Sequence, residues 1–186
     1  MSPSPAQAQP TLLAIETSAA ALSVALQRGD QTWARHLQVP RRQSTLALPT
    51  IAEVLEEAGV SAEDLDAIAF GRGPGSFTGI RVATSIAQGI GLATGVALLP
   101  VSSMACLAQA VMRRTDVATV LVCLDARLGE VYWGLFSEQD GLAVLQGEEC
   151  VDLPTAVPLP DGEFAMVGSA MQLADSNLDK IRSTAK

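Results

Sequence analysis

The sequence Gly71-Arg-Gly-Pro-Gly-Ser-Phe-Thr-Gly-Ile-Arg81 separates an apolar segment with strand character from a long apolar segment with helical character. It places four glycines within nine residues. Glycine adopts backbone angles that are closed to other residues, and it lets neighbouring backbones approach closely. We therefore predict that the main chain of this strand-to-helix turn fits tightly against a phosphate, another helix or the next layer of its own fold.

The patterns on either side of this turn predict a mixed α/β protein, because clustered strands are followed by helix–strand alternation and then by a second β-rich block. Upstream, three apolar or alternating segments with short connections predict an antiparallel meander, over residues 11–15, 22–26 and 31–39. A helix capped by Ser44 and ending near Ala58 follows, with Pro49 inside it, and then a strand over 65–70. Downstream we predict helices over 77–94 and 103–113, a strand over 119–124, and hairpins around Gly129 and Gly141.

These elements divide the chain into three predicted parts. Residues 1–10 are rich in proline, alanine, serine and glutamine, and we predict a disordered tail there. Residues 11–101 form an N-terminal subdomain and residues 102–186 a C-terminal subdomain, with the boundary near Pro100 to Ser103.

The composition narrows the classes of function. The chain has 186 residues, a formal net charge of -8 and only 17% charged residues, against roughly 25% in soluble proteins generally. Nucleic-acid binders usually carry a clustered basic face, so direct, tight binding of RNA or DNA is not expected. No apolar run reaches the roughly 18 residues of a membrane span, and the three cysteines are widely spaced. We therefore expect a cytoplasmic protein with no membrane association and reduced thiols.

The glycine-rich turn departs from the nucleotide-binding motifs that it approaches. A P-loop requires lysine followed by serine or threonine after the last glycine, and neither GxGxxG nor the nucleophile elbow GxSxG fits any register here. Backbone N–H groups at the start of the following helix could still hold a phosphate, with Ser76 or Thr78 as the cap. Close packing of the glycines is the interpretation that we favour.

The helix after the turn carries small residues at every fourth position, Gly79, Ala83, Ala87 and Gly91. Such a stripe forms a groove into which another helix can settle. The helix 44–58 presents Leu48, Ile51 and Leu55 at helical spacing, and we predict that the two helices together form an interface with a partner. A purely internal role of the stripe stays open. If the interface hypothesis holds, Ala83→Leu or Ala87→Leu blocks docking and leaves the chain folded.

Two further clusters contain charged residues. Glu16 and Ser18 follow the first strand, where a carboxylate could orient a water or a metal beside a nucleotide phosphate, or simply end the strand. Asp125, Arg127 and Glu130 surround the turn at Gly129, where opposite charges can pair and fix the register of the hairpin. No histidine or cysteine cluster indicates a metal site, since His36 is the single histidine.

Four segments together resemble the TsaB (YeaZ) family of proteins. They are Leu12-Leu-Ala-Ile-Glu-Thr-Ser18, Val101-Ser-Ser103, Asp125-Ala-Arg-Leu-Gly-Glu-Val-Tyr-Trp133 and the glycine-rich turn, whose family-motif residues are Gly71, Arg72, Gly73, Pro74, Gly75, Ser76, Phe77, Thr78 and Arg81. The resemblance runs from Leu12 to about Phe136 in order and at the expected spacing. The string GRGPGSFTGxR is highly specific.

This resemblance implies an actin/Hsp70/sugar-kinase-like (ASKHA) fold of two α/β subdomains. It implies a non-catalytic, cytoplasmic subunit that docks on and activates the catalytic subunit TsaD, together with the ATPase TsaE. That assembly transfers threonylcarbamoyl to N6 of adenosine 37 in tRNA. The resemblance also implies a homodimer through the same helical face, contact with tRNA only through the complex, no tightly bound cofactor, and ATP only at the level of the complex.

Two features depart from the family pattern. Glu16 stands where many relatives of the superfold have aspartate, which weakens a nucleotide-site interpretation. Members of the family usually continue with a further helical segment, so we expect the second subdomain to be shortened or the gene product truncated. The alternative function is an ATP-dependent phosphotransferase or ATPase of the same superfold that uses Glu16 and the turn. A peptidase finds no support, because no nucleophile–base set is present.

Overall fold

The computed structural model describes residues 9–185, which form two compact units. The first comprises the chain up to Arg72 together with Ser76–Val101, and the second comprises Gly73–Gly75 and the chain from Ser102 onward. Most of the predicted N-terminal tail lies outside the described residues. Gln9 and Pro10 are exposed and precede the first strand.

The first unit contains a five-stranded sheet with the strand order β3-β2-β1-β4-β5. Its strands are β1 (Thr11–Glu16), β2 (Ala21–Arg28), β3 (Gln31–Gln38), β4 (Ala67–Gly71) and β5 (Ala97–Val101). The first three strands form the predicted antiparallel meander, whereas β4 runs parallel to both β1 and β5. The carboxyl ends of β1 and β4 therefore lie side by side, which brings the glycine-rich turn next to Glu16, Thr17 and Ser18.

Two helices, α1 (Gln43–Ala58) and α2 (Phe77–Thr94), cover one face of this sheet. Alternate strand residues point to this face, and Leu13, Ile15 and Ile68 are at most 2% exposed there. Ala83 and Ala87 of α2 and Ile51 and Val54 of α1 belong to the same core. Gly95, in the left-handed conformation, ends α2 where the sequence predicts it.

The second unit is a four-stranded sheet with the order β8-β7-β6-β9. Its elements are α3 (Ser103–Met112), β6 (Thr119–Arg127), β7 (Glu130–Gln139), β8 (Leu142–Asp152), β9 (Ala165–Val167) and α4 (Ser176–Thr184). Successive residues of β6 face opposite sides. Val120 and Val122 pack with Met104 of α3, whereas Leu121 and Cys123 belong to a second cluster with Leu178 and Ile181 of α4.

Some element predictions were wrong or incomplete. Helix α1 begins one residue before the predicted cap, because Arg42 is the N-cap and no side chain caps the helix. Strand β6 continues to Arg127, beyond the predicted end at Leu124. The sequence patterns also missed β9 and α4, although Asp175 caps α4 by accepting hydrogen bonds from the backbone N–H groups of Asn177 and Leu178. None of the helices within residues 9–185 is long and apolar enough to cross a membrane.

Candidate docking groove on helices α1 and α2

The glycine-rich turn is fixed by hydrogen bonds of its own backbone. Arg72 N donates to the Val101 carbonyl at 2.9 Å, and Ser103 N donates to the Gly73 carbonyl at 2.9 Å. Ser76 N donates to the Ser18 carbonyl at 2.7 Å, and its hydroxyl accepts a hydrogen bond from Gly79 N, so Ser76 is the cap of α2. Pro74 and Gly75 are half-buried, and the positive φ of Gly73 is a conformation typical of glycine.

Two glycines of the motif lie very close to residues at the end of β1, and the approach of Gly79, which is to backbone atoms, requires glycine. A Cβ on Gly79 would overlap the carbonyl oxygen of Thr17, and one on Gly71 would overlap the carboxylate of Glu16. The buried Thr17 hydroxyl donates to the Gly79 carbonyl at 2.6 Å, and Glu16 Oε1 accepts a hydrogen bond from Ser18 N at 2.5 Å. The first turn of α2 therefore lies directly against the end of β1, which agrees with the packing interpretation of the turn.

The small-residue stripe of α2 faces the chain's own sheet, and this corrects the docking groove predicted from it. Gly79, Ala83 and Ala87 are buried, the two alanines completely. Gly91 is half-buried, and a Cβ on it would lie 3.0 Å from Leu98 of β5. These residues let α2 approach the sheet, so they are not available to a partner, and a leucine at position 83 or 87 would disturb the fold itself.

The outer side of α1 and α2 instead carries an open groove of about 350 Å³. Its lining residues are Ser44, Leu48, Phe77, Thr78, Arg81, Val82, Ser85 and Ile86. The side chains of Leu48 and Phe77 are 57% and 71% exposed. The Arg81 guanidinium lies 3.2 Å from the centroid of the Phe77 ring, which is a cation–π arrangement. We call this feature the α1–α2 groove.

The three residues predicted on α1 divide between the core and this groove. Ile51 is 3% exposed and belongs to the core, which removes it from the predicted interface. Leu55 is half-buried against the same core, and only Leu48 lines the groove. Among the motif residues, Phe77, Thr78 and Arg81 line the groove although the interface prediction left them out. The signal for them was an aromatic residue and an arginine four positions apart on one helix.

The charged residues near Gly129 belong to a hairpin in the second unit, and a hydrogen bond and an ion pair stabilise its first strand. Asp125 accepts a hydrogen bond from Arg127 N at 2.8 Å and pairs with the Arg127 guanidinium at 3.1 Å. The predicted charge pairing therefore exists, but it joins two residues of one strand. Arg127 lies opposite Glu130 in the register of β6 and β7.

No group of three histidine, cysteine, aspartate or glutamate side chains within residues 9–185 is arranged to hold a metal ion. The pKa values of Asp64 and Cys123 are shifted, and neither group lies in the groove. Hydrogen bonds from the backbone and side chain of Ser61 lower the pKa of Asp64, and burial raises the pKa of the Cys123 thiol to about 12. A thiol that stays protonated in this way is not a nucleophile near neutral pH.

Comparison with known proteins identifies the class of folds to which this architecture belongs. Residues 38–175 match the family model described as "TsaD: tRNA N6-adenosine threonylcarbamoyltransferase". The solved structure of YeaZ from Pseudomonas aeruginosa superposes with a TM-score of 0.77 at 41% identity, covering 81% of this chain and 70% of that one. The two α/β units thus belong to the actin/sugar-kinase-like (ASKHA) class of folds, as predicted.

Sequence relatives narrow the class to a family. The chain is 40% identical over 172 residues to the tRNA threonylcarbamoyladenosine biosynthesis protein TsaB of Escherichia coli, covering 87% of this chain and 72% of that protein. It is 43% identical over 124 residues to the TsaB protein of Haemophilus influenzae, covering 66% of this chain and 52% of the relative. The chain belongs to the TsaB (YeaZ) family, which confirms the resemblance.

Proposed function

We propose that this protein is a non-catalytic subunit in the biosynthesis of tRNA threonylcarbamoyladenosine, and that it activates a TsaD-type transferase by docking on it through the α1–α2 groove. The family membership and the names of its relatives support the pathway. The observation that carries the docking step is the exposure of Leu48 and Phe77 side by side on two adjacent helices.

The chemistry of the groove suits a protein partner. Interfaces are enriched in aromatic residues and arginine at their centres, and truncation of such residues has the largest effects on binding. Here Phe77 and Arg81 are stacked at the surface and flanked by Leu48, Val82 and Ile86. Ser44, Thr78 and Ser85, which carry hydroxyl groups, also line the groove. We expect a helix of the transferase to bury the apolar residues and to hydrogen-bond with these hydroxyl groups.

The same groove would serve a homodimer, because a two-fold interface uses one self-complementary surface on both copies. Homodimer and transferase complex would then be mutually exclusive. We further propose that a TsaE-type ATPase joins the complex, that the chain meets tRNA only within it, and that ATP is used at the level of the complex, with no tightly bound cofactor on this chain. A cytoplasmic location fits a role in tRNA modification.

The alternative, an ATPase centred on Glu16, has one observation in its favour. The Glu16 carboxylate lies beside Gly71 at the carboxyl ends of β1 and β4, an edge where α/β proteins bind ligands. If the chain is an ATPase, the isolated chain should hydrolyse ATP in the presence of Mg²⁺, and Glu16→Ala should abolish this turnover. We favour the partner role because the first turn of α2 packs closely against the end of β1, where the Thr17 hydroxyl donates to the Gly79 carbonyl and a Cβ on Gly79 would overlap the Thr17 carbonyl.

The test is a reconstitution of tRNA modification from purified transferase, TsaE-type ATPase, threonylcarbamoyl-adenylate and tRNA, with and without this chain. We expect modification to depend on the chain and the chain alone to have no activity. Leu48→Asp should weaken the transferase complex by about 30-fold, since interface hot spots contribute about 2 kcal/mol or more. Full activity without the chain would overturn the proposal.

A matched control is available on the same helical layer. Leu92 of α2 is 91% exposed but does not line the groove, and it lies about 22 Å along the helix axis from Phe77 at 1.5 Å per residue. Leu92→Asp introduces the same charge at a more exposed site and should leave the complex intact. Equal loss of binding in both variants would show that the added charge weakens binding wherever it is placed. The groove would then have no specific role in docking.

A further inference from the structure

The first unit contains an open cavity of about 670 Å³ at the end of its sheet that lies opposite the glycine-rich turn. Thr11, Arg28 and Gln31 line it and lie opposite one another in the register of β1, β2 and β3. Thr11 is on the same face as Leu13, which α1 and α2 cover. Helix α1 stops short of this last row, with Gly59 as its C-cap, and Gly59 also lines the cavity. The cavity is therefore the part of the sheet between the end of α1 and the β2–β3 hairpin.

Three charged side chains line the cavity, two of them acidic and one basic. Asp66 Oδ2 accepts a hydrogen bond from Thr11 N at 2.7 Å, and Asp64 Oδ2 accepts hydrogen bonds from Ser61 N at 2.9 Å and from the Ser61 hydroxyl at 2.8 Å. Within residues 9–185 no donor hydrogen-bonds to either Oδ1 atom, and no acceptor hydrogen-bonds to the Arg28 guanidinium. All three side chains belong to exposed residues, so a ligand can reach them from solvent.

The mixed charge of the cavity disfavours ligands of a single sign. An anion such as a phosphate would meet Arg28 but also the two carboxylates, whereas a simple cation would be attracted by the carboxylates and repelled by Arg28. The C-terminus of α1 adds a partial negative charge beside Gly59, and its last turn contains no basic residue. A molecule that carries one ammonium and one carboxylate group satisfies both signs through charge-assisted hydrogen bonds.

Trp33 supplies an apolar wall to the same cavity. It is half-buried and packs against the core of the first unit, while part of it lines the cavity. An indole ring offers a large, rigid surface on which an apolar group can lie. The volume of the cavity falls within the range of small-molecule sites, about 300–1,000 Å³, which leaves room for a large side chain on the ligand.

We propose that this cavity binds a free α-amino acid with an apolar side chain. The carboxylate of the ligand pairs with Arg28, its ammonium group pairs with Asp64 and Asp66, and its side chain lies on Trp33. No residue lines both this cavity and the α1–α2 groove. The inference therefore goes beyond the proposed function and does not rest on it.

The first test compares three ligands of nearly the same shape by calorimetry on the full chain. L-Phenylalanine carries both charged groups, phenethylamine lacks the carboxylate, and hydrocinnamate lacks the ammonium group. Each analogue should bind at least about 10-fold more weakly than L-phenylalanine, because it leaves one charged side of the cavity unmatched. Binding of either analogue as tight as that of L-phenylalanine would show a site for one charge only and would overturn the proposal. Absence of L-phenylalanine binding would overturn it as well.

The second test assigns each charged group of the ligand to its partner in the cavity. Arg28→Gln and Asp66→Asn should each weaken L-phenylalanine binding at least about 10-fold. The asparagine keeps an oxygen that can accept the hydrogen bond from Thr11 N, so the fold is preserved. Arg28→Gln should not weaken phenethylamine binding, since that ligand has no carboxylate for the arginine. Equal weakening of both ligands by Arg28→Gln would overturn the pairing of this arginine with a carboxylate.

Matched controls lie in the same sheet but outside the cavity. Arg35 of β3 forms an ion pair with Glu57, and Asp30 belongs to the β2–β3 turn. Neither residue lines the cavity. Arg35→Gln and Asp30→Asn change the net charge of the chain as the test variants do, and they should leave L-phenylalanine binding unchanged. Losses equal to those of Arg28→Gln and Asp66→Asn would show a general effect of charge and would overturn the site.

Discussion

Helix α2 has two faces that are both poor in charge and yet differ in role. Its inner face consists of the small residues Gly79, Ala83 and Ala87, which are buried against β1 and β4. Its outer face carries Phe77 and Arg81, stacked on each other and open to solvent. The small residues determine how close the helix lies to its sheet, and the large ones are those that we propose for binding a partner. The packing face and the proposed binding face are thus separated by about half a turn of one helix.

The largest expected effect is that of Gly79→Ala on the inner face. The new methyl group would overlap the Thr17 carbonyl, and a backbone atom cannot rotate away as the end of a flexible side chain can. We expect the free energy of unfolding to fall by about 3 kcal/mol, the upper end for overpacking. Urea unfolding followed by circular dichroism measures it.

Gly89→Ala is the matched control for this change. Gly89 lies in the same helix and is exposed, and a Cβ added there would have no atom within 4 Å outside the neighbouring helix backbone. Alanine there should raise the free energy of unfolding by about 0.5–1 kcal/mol, because it restricts the unfolded chain and favours the helix. Equal destabilisation by both substitutions would contradict the assignment of the inner face.

A somewhat smaller effect is expected of Ala87→Leu. Ala87 is fully buried in the core of the first unit, so a larger side chain would push apart the residues packed around it. We expect a loss of about 1–3 kcal/mol in unfolding free energy. The exposed Ala93 of the same helix provides the control, since Ala93→Leu should change stability by at most about 0.5 kcal/mol. A folded Ala87→Leu variant with wild-type stability would restore the interface prediction for the stripe.

The smallest effect on stability belongs to Phe77→Ser on the outer face. The ring is 71% exposed, so its loss should alter the free energy of unfolding by about 0.5 kcal/mol at most, including the exposed cation–π contact. The affinity for the transferase should nevertheless fall, as measured by calorimetry. A destabilised Phe77→Ser with unchanged affinity would reverse the roles of the two faces.

The sequence predicted the bounds of α2 but not its orientation. Helical periodicity identifies an apolar face only when the opposite face is polar, and α2 is apolar around most of its circumference. A stripe of small residues is typical of close helix–helix packing, yet the same stripe allows a helix to lie close to a sheet. What decided between them was the position of the Thr17 carbonyl, which depends on the parallel pairing of β1 with β4.

Other parts of the structure also differed in how well the sequence predicted them, for similar reasons. The glycines at positions 129 and 141 predicted the hairpins, because their local chemistry suffices to define a turn. The three-residue strand β9 carries too short a pattern, and its parallel pairing with β6 is a long-range contact. The groove was found only in part. The interface prediction included Leu48 and the family motif contained Phe77, Thr78 and Arg81, but the remaining interface residues are those of the buried stripe and of the core side of α1.

The buried thiol of the second unit has a practical consequence for following unfolding. Cys106, Cys123 and Cys150 all lie in that unit, and Cys123 is both inaccessible and protonated in the native state. After the two more accessible cysteines have been blocked, alkylation of Cys123 requires that the second unit open. The rate of that alkylation would therefore measure how fast the second unit opens. The first unit has no cysteine and contributes no signal.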